Sequence, residues 1–183
     1  KGMDSDNYFG VKIFDPYREF ENPDSPVTKR WVENQNQITA DFIKSSPLHQ
    51  KIENKLKIGW NFERYFTAMK KNRAYYYFKN GGLQNQSVMY KQKGGATEAE
   101  IFIDPNKFSA DGTVALNGQI FSRDGKVVAY LVAESGSDRQ TIRVKNSETG
   151  EDLIDNIRWC KYTSVAWAPD NSGFFYNRYP IPG

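Results

Sequence analysis

The feature that most limits what this chain can fold into is a segment that occurs twice. Phe121-Ser122-Arg123-Asp124-Gly125 leads to Tyr130, and Trp167-Ala168-Pro169-Asp170-Asn171 leads to Tyr176. Phe121 and Trp167, Asp124 and Asp170, and Tyr130 and Tyr176 are each 46 positions apart. Asp followed by Gly or Asn suits a tight turn, because those residues tolerate positive φ. Four short strand-like runs fill one period, at 118–122, 127–133, 140–145 and 152–157. Turn formers separate them: Asp124-Gly125, Ser135-Gly136-Ser137-Asp138 and Thr149-Gly150. A period in the forties with four strands is the pattern of a β-propeller blade. The aromatic ending the inner strand then fills the gap between blades, and the next strand is apolar because both its faces meet a neighbour. The alternative is two unrelated hairpins that share a common turn.

Upstream, strands are expected at 64–69, 73–79, 86–91 and 100–103, parted by Lys71-Asn72, Gly81-Gly82 and Gly94-Gly95. Asp104-Pro105-Asn106 and Asp111-Gly112 form a turn-rich loop. A third group opens with 164–167, turns at Pro169-Asp170-Asn171 and continues at 173–176. Two blades and the start of a third do not close a ring, since four to eight blades are typical. The chain is therefore expected to be the N-terminal piece of something larger, stopping at Pro182-Gly183.

The first sixty residues follow another period. After an extended start, Pro16 and Pro23 keep 15–23 irregular. Ser25 suits a helix N-cap with Pro26 at the first helical position. Val27, Trp31, Ile38 and Phe42 then mark one apolar helix face. Ser46 and Pro47 start a second helix lined by Leu48, Ile52 and Leu56, with Gly59 at its end. Two such helices cannot bury their apolar faces on each other alone, so they are expected to pack on another surface.

Charge excludes some functions. The net charge is +3, and the excess is local: residues 61–100 hold 7 basic and 3 acidic groups. No concentrated basic face for nucleic acid and no basic amphipathic helix for a membrane surface is legible. No apolar run is long enough to span a membrane. The 27 aromatics favour sheets. Cys160 is the one cysteine, which rules out an internal disulfide framework and a cysteine zinc site. A reducing compartment, the cytoplasm, is its easier home. His49 is the one histidine and reads as an ordinary helix residue. Cys160, beside Trp159, reads as a packed, unreactive thiol. No Gly-x-Ser-x-Gly elbow occurs. Tyr75-Tyr76-Tyr77-Phe78 reads as a strand rather than a base-stacking platform. Neither a catalytic set nor a metal or cofactor site is expected in this chain.

Several pieces in order resemble the amino-terminal part of prolyl oligopeptidases, serine peptidases of the α/β-hydrolase class. They are Asp15-Pro16-Tyr17-Arg18 with Glu21, Pro23, Asp24 and Ser25; Trp31-Val32-Glu33-Asn34-Gln35-Asn36; and Gly82-Leu83-Gln84-Asn85-Gln86. Asp104-Pro105-Asn106, Asp111-Gly112-Thr113-Val114-Ala115-Leu116, Ser135-Gly136-Ser137-Asp138 and Val165-Ala166-Trp167 complete the set. Glu19-Phe20 and Glu63 depart from the usual pattern.

The resemblance implies a mainly β partial propeller: the first two blades and the start of a third, of seven. It divides the chain into a helical arm at 1–60 that belongs with a hydrolase domain absent here, and blades at about 61–111, 112–160 and 161–183. It implies hydrolysis of short peptides after proline by the intact protein, with the propeller as a size filter, and no activity in this chain alone. The implied partners are proline-containing peptides, the remaining blades and the hydrolase domain. Tyr162 aligns with an aromatic that lines the family's peptide pocket; its alternative role is filling space within a blade. Asp138 is a second candidate, facing the cavity and pairing with a cation of the other domain, or simply a turn residue. Competing assignments are oligopeptidase B, which cuts after basic residues, and a non-catalytic propeller scaffold.

Overall fold

Strand 127–134 shows why the sheets stack. Its residues alternate: Val128, Tyr130 and Val132 join one buried cluster, while Ala129 and Leu131 join another. A strand apolar on both faces needs a neighbour on each side, and this one has both. The computed structural model describes residues 2–134 and 136–180; Ser135 of the turn motif and the terminal Pro182-Gly183 lie outside them. The chain divides into two compact units, Lys1–Ile58 and Gly59–Gly183.

The first unit opens with a hairpin of β1 (Ser5–Tyr8) and β2 (Val11–Phe14), where only an extended start was expected. Phe9 and Gly10 make its turn, both at positive φ, and Asn7 Oδ1 accepts a hydrogen bond from Gly10 N at 2.8 Å. Arg18 anchors the hairpin through an ion pair to Asp6 and another to Asp15 at 3.4 Å. The segment expected to be irregular contains a 3-10 turn at Arg18–Glu21. Helix α1 runs Pro26–Lys44 and is capped as expected: Ser25 Oγ accepts from Thr28 N at 3.1 Å. Helix α2 runs His49–Trp60. It starts two residues after Pro47, which sits in the preceding turn, and it continues through Gly59 instead of ending there. His49 is half-buried. No described helix is long and apolar enough to cross a membrane.

In the second unit the first sheet contains β3 (Arg64–Tyr65), β4 (Met69–Lys71), β5 (Ala74–Asn80), β6 (Val88–Lys93) and β7 (Glu100–Ile103). The single strand expected at 64–69 is two short ones, β3 and β4, both antiparallel to β5. The second sheet is a four-stranded meander of β8 (Val114–Phe121), β9 (Val127–Glu134), β10 (Arg139–Asn146) and β11 (Asp152–Lys161). Strand β8 begins four residues before the expected 118, because a bulge at Asn117, between the pairs Leu116–Val132 and Gly118–Leu131, lets the pairing continue. Strands β12 (Ala166–Trp167) and β13 (Phe174–Phe175) form a separate pair. The chain is thus mainly β, an open set of propeller-like blades with a few helices.

The repeat has the physical meaning assigned to it. Phe121 is buried against the first sheet, with its ring 4.6 Å from Tyr76 and 6.5 Å from Phe102. Trp167, one period later, donates its indole N–H to Ile120 O of the second sheet at 2.9 Å. The turn after each aromatic holds one left-handed residue, Gly125 at φ +70° and Asn171 at φ +61°. At Gly125 a Cβ would lie 3.0 Å from Asn72 N in the first sheet's turn, so glycine also permits the close approach of two blades.

The motif residues between blades are cross-links. Gln86 Nε2 donates to Val114 O at 2.7 Å, and its Oε1 accepts from Leu116 N at 3.2 Å. Asn85 Nδ2 donates to Gly112 O at 3.0 Å, and Asn106 exchanges two hydrogen bonds with the Gln86 backbone. The turn motifs at 82–86 and 104–116 thereby tie the first sheet to the start of the second.

Candidate functional site

The antiparallel pairing of β10 and β11 places Arg139 opposite Lys161. Asp138 immediately precedes β10 and Tyr162 immediately follows β11, so the two candidates meet. Tyr162 Oη donates to Asp138 Oδ2 at 3.0 Å. Lys161 Nζ lies 3.4 Å from the same oxygen and 4.9 Å from the Tyr162 ring centroid. The adjoining phenol and the Asp138 carboxylate raise the pKa of Lys161 and hold its charge. Within this chain, then, Asp138 already has a cation beside it.

Tyr162 has φ +49°, an uncommon conformation for an aromatic residue, and is 71% exposed. The ring is held by its hydroxyl and stands largely outside the core. Trp159 also has positive φ, at +66°, where the β10–β11 register slips between Gln140 and Ile142. Such a bulge re-aims side chains. It brings the indole under Arg139, whose guanidinium lies 4.9 Å from the ring centroid. Tyr179 N donates to Trp159 O at 3.2 Å. Arg139, Trp159, Lys161, Tyr162, Tyr179 and Pro180 surround a cavity of about 260 Å³.

This corner offers aromatic faces, two cations and a hydroxyl held by a carboxylate. Aromatic faces and cations of this kind can make stacking, cation–π and hydrogen-bond contacts with a ligand. Cys160, one residue away, is fully buried, and burial pushes its thiol pKa up. His49 lies in the other unit. Among the described residues no group of three or more His, Cys, Asp or Glu is arranged to hold a metal ion. Sequence reasoning singled out Tyr162 and Asp138 but not Arg139, Trp159 or Tyr179. Arg139 stands beside Asp138 in the sequence, which was an available signal; the bulge at Trp159 leaves none.

The chain matches, over residues 2–183, the family described as prolyl oligopeptidase, N-terminal beta-propeller domain. The prolyl endopeptidase of Elizabethkingia meningoseptica is 38% identical over 178 residues, 97% of this chain and 25% of that protein. A solved prolyl endopeptidase superposes with a TM-score of 0.79 at 27% identity, over 99% of this chain and 27% of its own. Prolyl oligopeptidase B from Galerina marginata, bound to a 25-residue macrocyclization substrate, gives a TM-score of 0.74 at 28% identity, over 100% of this chain and 29% of its own. The chain thus spans about a quarter of the curated relatives it matches. A repeat that forms blades, motifs that lock those blades together and a match over nearly every residue lead to one assignment: the chain belongs to the prolyl oligopeptidase family, as its N-terminal β-propeller portion.

Proposed function

We propose that the intact protein is a serine peptidase that hydrolyses short peptides on the carboxyl side of proline, and that this chain contributes peptide-contacting surface but no catalytic group. The observation that carries the proposal is the 38% identity, across 97% of the chain, to a protein named prolyl endopeptidase. The catalytic serine, its histidine and the oxyanion donors belong, on this reading, to a hydrolase domain outside the chain. The arm at 1–60 packs on that domain. The blades at about 61–111 and 112–160, with a third begun at 161–183, form part of a seven-bladed ring that admits short peptides and excludes folded proteins. The exposed apolar faces of α1 and α2 support the first statement; the uncovered blade edges support the second. We place the enzyme in the cytoplasm, a reading supported by the free thiol of Cys160. The named relatives are prolyl enzymes, which favours this branch over oligopeptidase B and over a non-catalytic scaffold.

On the same reading Tyr162 contacts the bound peptide, and Asp138 holds its hydroxyl in place. In the intact enzyme, Tyr162→Ala is expected to raise KM for longer proline peptides severalfold, on the order of 1 kcal/mol of lost contact, with an unchanged melting temperature. Asp138→Asn should reproduce part of that rise. Steady-state kinetics on a series of proline peptides checks both, and unaltered KM values would remove Tyr162 from the peptide's path. Arginine peptides in the same series test the rival specificity.

A further inference from the structure

The local basic excess of residues 61–100 has no role at the Tyr162 corner. The fold gathers it elsewhere. Lys71, Arg73 and Lys93 of the first sheet converge with Lys126, Ser147 and Glu148 of the second around a cleft of about 390 Å³. The cleft lies where the two sheets meet. It is built on the β8–β9 and β10–β11 turns, whereas Asp138 belongs to the β9–β10 turn. Successive turns of a meander fall at alternate ends, so the cleft opens at the end of the blades away from Tyr162.

Its charges do not cancel. Lys126 pairs with Asp124 at 3.6 Å. Lys71, Arg73 and Lys93 form no ion pair among the described residues, and Glu148 is the one carboxylate lining the cleft. Three uncompensated cations around one concavity repel one another, and a multiply charged anion removes that repulsion.

The wall is held in place beforehand. Buried Lys91 donates to Glu148 O at 2.8 Å and pairs with Glu100 at 3.2 Å. Ser147 N donates to Lys126 O at 2.8 Å, and Ser147 O accepts from Tyr76 Oη at 3.1 Å. The Ser147 hydroxyl, which is buried, has no hydrogen-bond partner. A wall fixed by these hydrogen bonds, rimmed by lysines and a planar guanidinium, suits phosphate oxygens. The confined volume suits a small molecule and not a nucleic-acid duplex.

We propose that this inter-blade cleft is a binding site for a small anion carrying two or more phosphate groups. Isothermal titration of the intact protein with inorganic tripolyphosphate, at an ionic strength of about 0.15 M, tests it. Saturable one-to-one binding is expected. The triple variant Lys71→Gln, Arg73→Gln, Lys93→Gln should weaken it on the order of tenfold or more. A variant with the same loss of charge at residues that do not line the cleft, Lys44→Gln, Lys51→Gln, Lys55→Gln, should weaken it less than about twofold. Absence of saturable binding to the unaltered protein overturns the proposal. So does equal weakening in the two variants, which would mean general attraction to a basic protein.

Discussion

In Lys1–Ile58 a single described residue, Thr28, is buried, whereas the blades of Gly59–Gly183 hold two apolar clusters. Both units have well-formed secondary structure, so the contrast lies in what stabilises it. In the arm the causes are local: a serine cap, a proline at the first helical turn, a hairpin anchored by Arg18. Its apolar helix positions, Val27, Trp31, Ile38, Phe42, Ile52 and Leu56, all remain exposed. In the blades the causes are long-range: Tyr76, Phe102 and Phe121 come together from three strands of two sheets. Helical periodicity can therefore create an apolar face without supplying its partner, whereas the blade repeat supplies the face and the partner together.

The largest test of this contrast is Phe121→Ala. Emptying the seam should lower the stability of the intact protein by about 3–5 kcal/mol in a denaturant titration. A loss below about 1 kcal/mol would mean that the seam closes without its aromatic. The next effect is alkaline. Burial, and then the Asp152 carboxylate that accepts its hydrogen bond at 2.9 Å, push Tyr130 up to about 12. An unfolded tyrosine ionises near 10, so the folded state favours the protonated phenol. Its contribution is complete below about pH 10 and is lost as pH rises toward about 12. Tyr130→Phe should flatten this limb of a stability–pH curve, and an unchanged slope would assign it to other groups.

Smaller effects belong to the arm. Ser25→Ala removes the α1 cap and should cost about 1 kcal/mol, read as faster hydrogen exchange in the first turn of the helix. Phe42→Ala is the smallest. In the 183-residue polypeptide, where its ring is 79% exposed, the change should stay within about 0.5 kcal/mol. A cost of several kcal/mol for the same change in the intact protein would locate the surface that covers this face. Equal costs in both would argue against such cover.

Much of the architecture was legible in the sequence. The 46-residue offset identified the blade, and Ser25-Pro26 identified the start of α1. What escaped depends on tertiary pairing or on unusual backbone. Strand β8 began earlier than expected because the bulge at Asn117 exists only in register with β9. The β1–β2 hairpin was hidden by a turn that holds Phe9 at positive φ, a residue rarely found there. Tyr162 and Asp138 were singled out separately, yet their hydrogen bond follows from strand pairing across 24 residues. The basic excess at 61–100 did not reveal a shared cleft, because its members converge only when β4–β5, β6 and the second sheet's turns come together.

The side chain of Gln86 has one further consequence. Strand β8 is the margin of its sheet, with β9 as its one strand neighbour. A bare margin offers main-chain groups to any extended polypeptide and invites aggregation. By engaging Val114 O and Leu116 N, the Gln86 amide acts as a counterfeit peptide unit that occupies part of this margin. A side chain too short to reach would leave β8 open to recruiting a foreign strand.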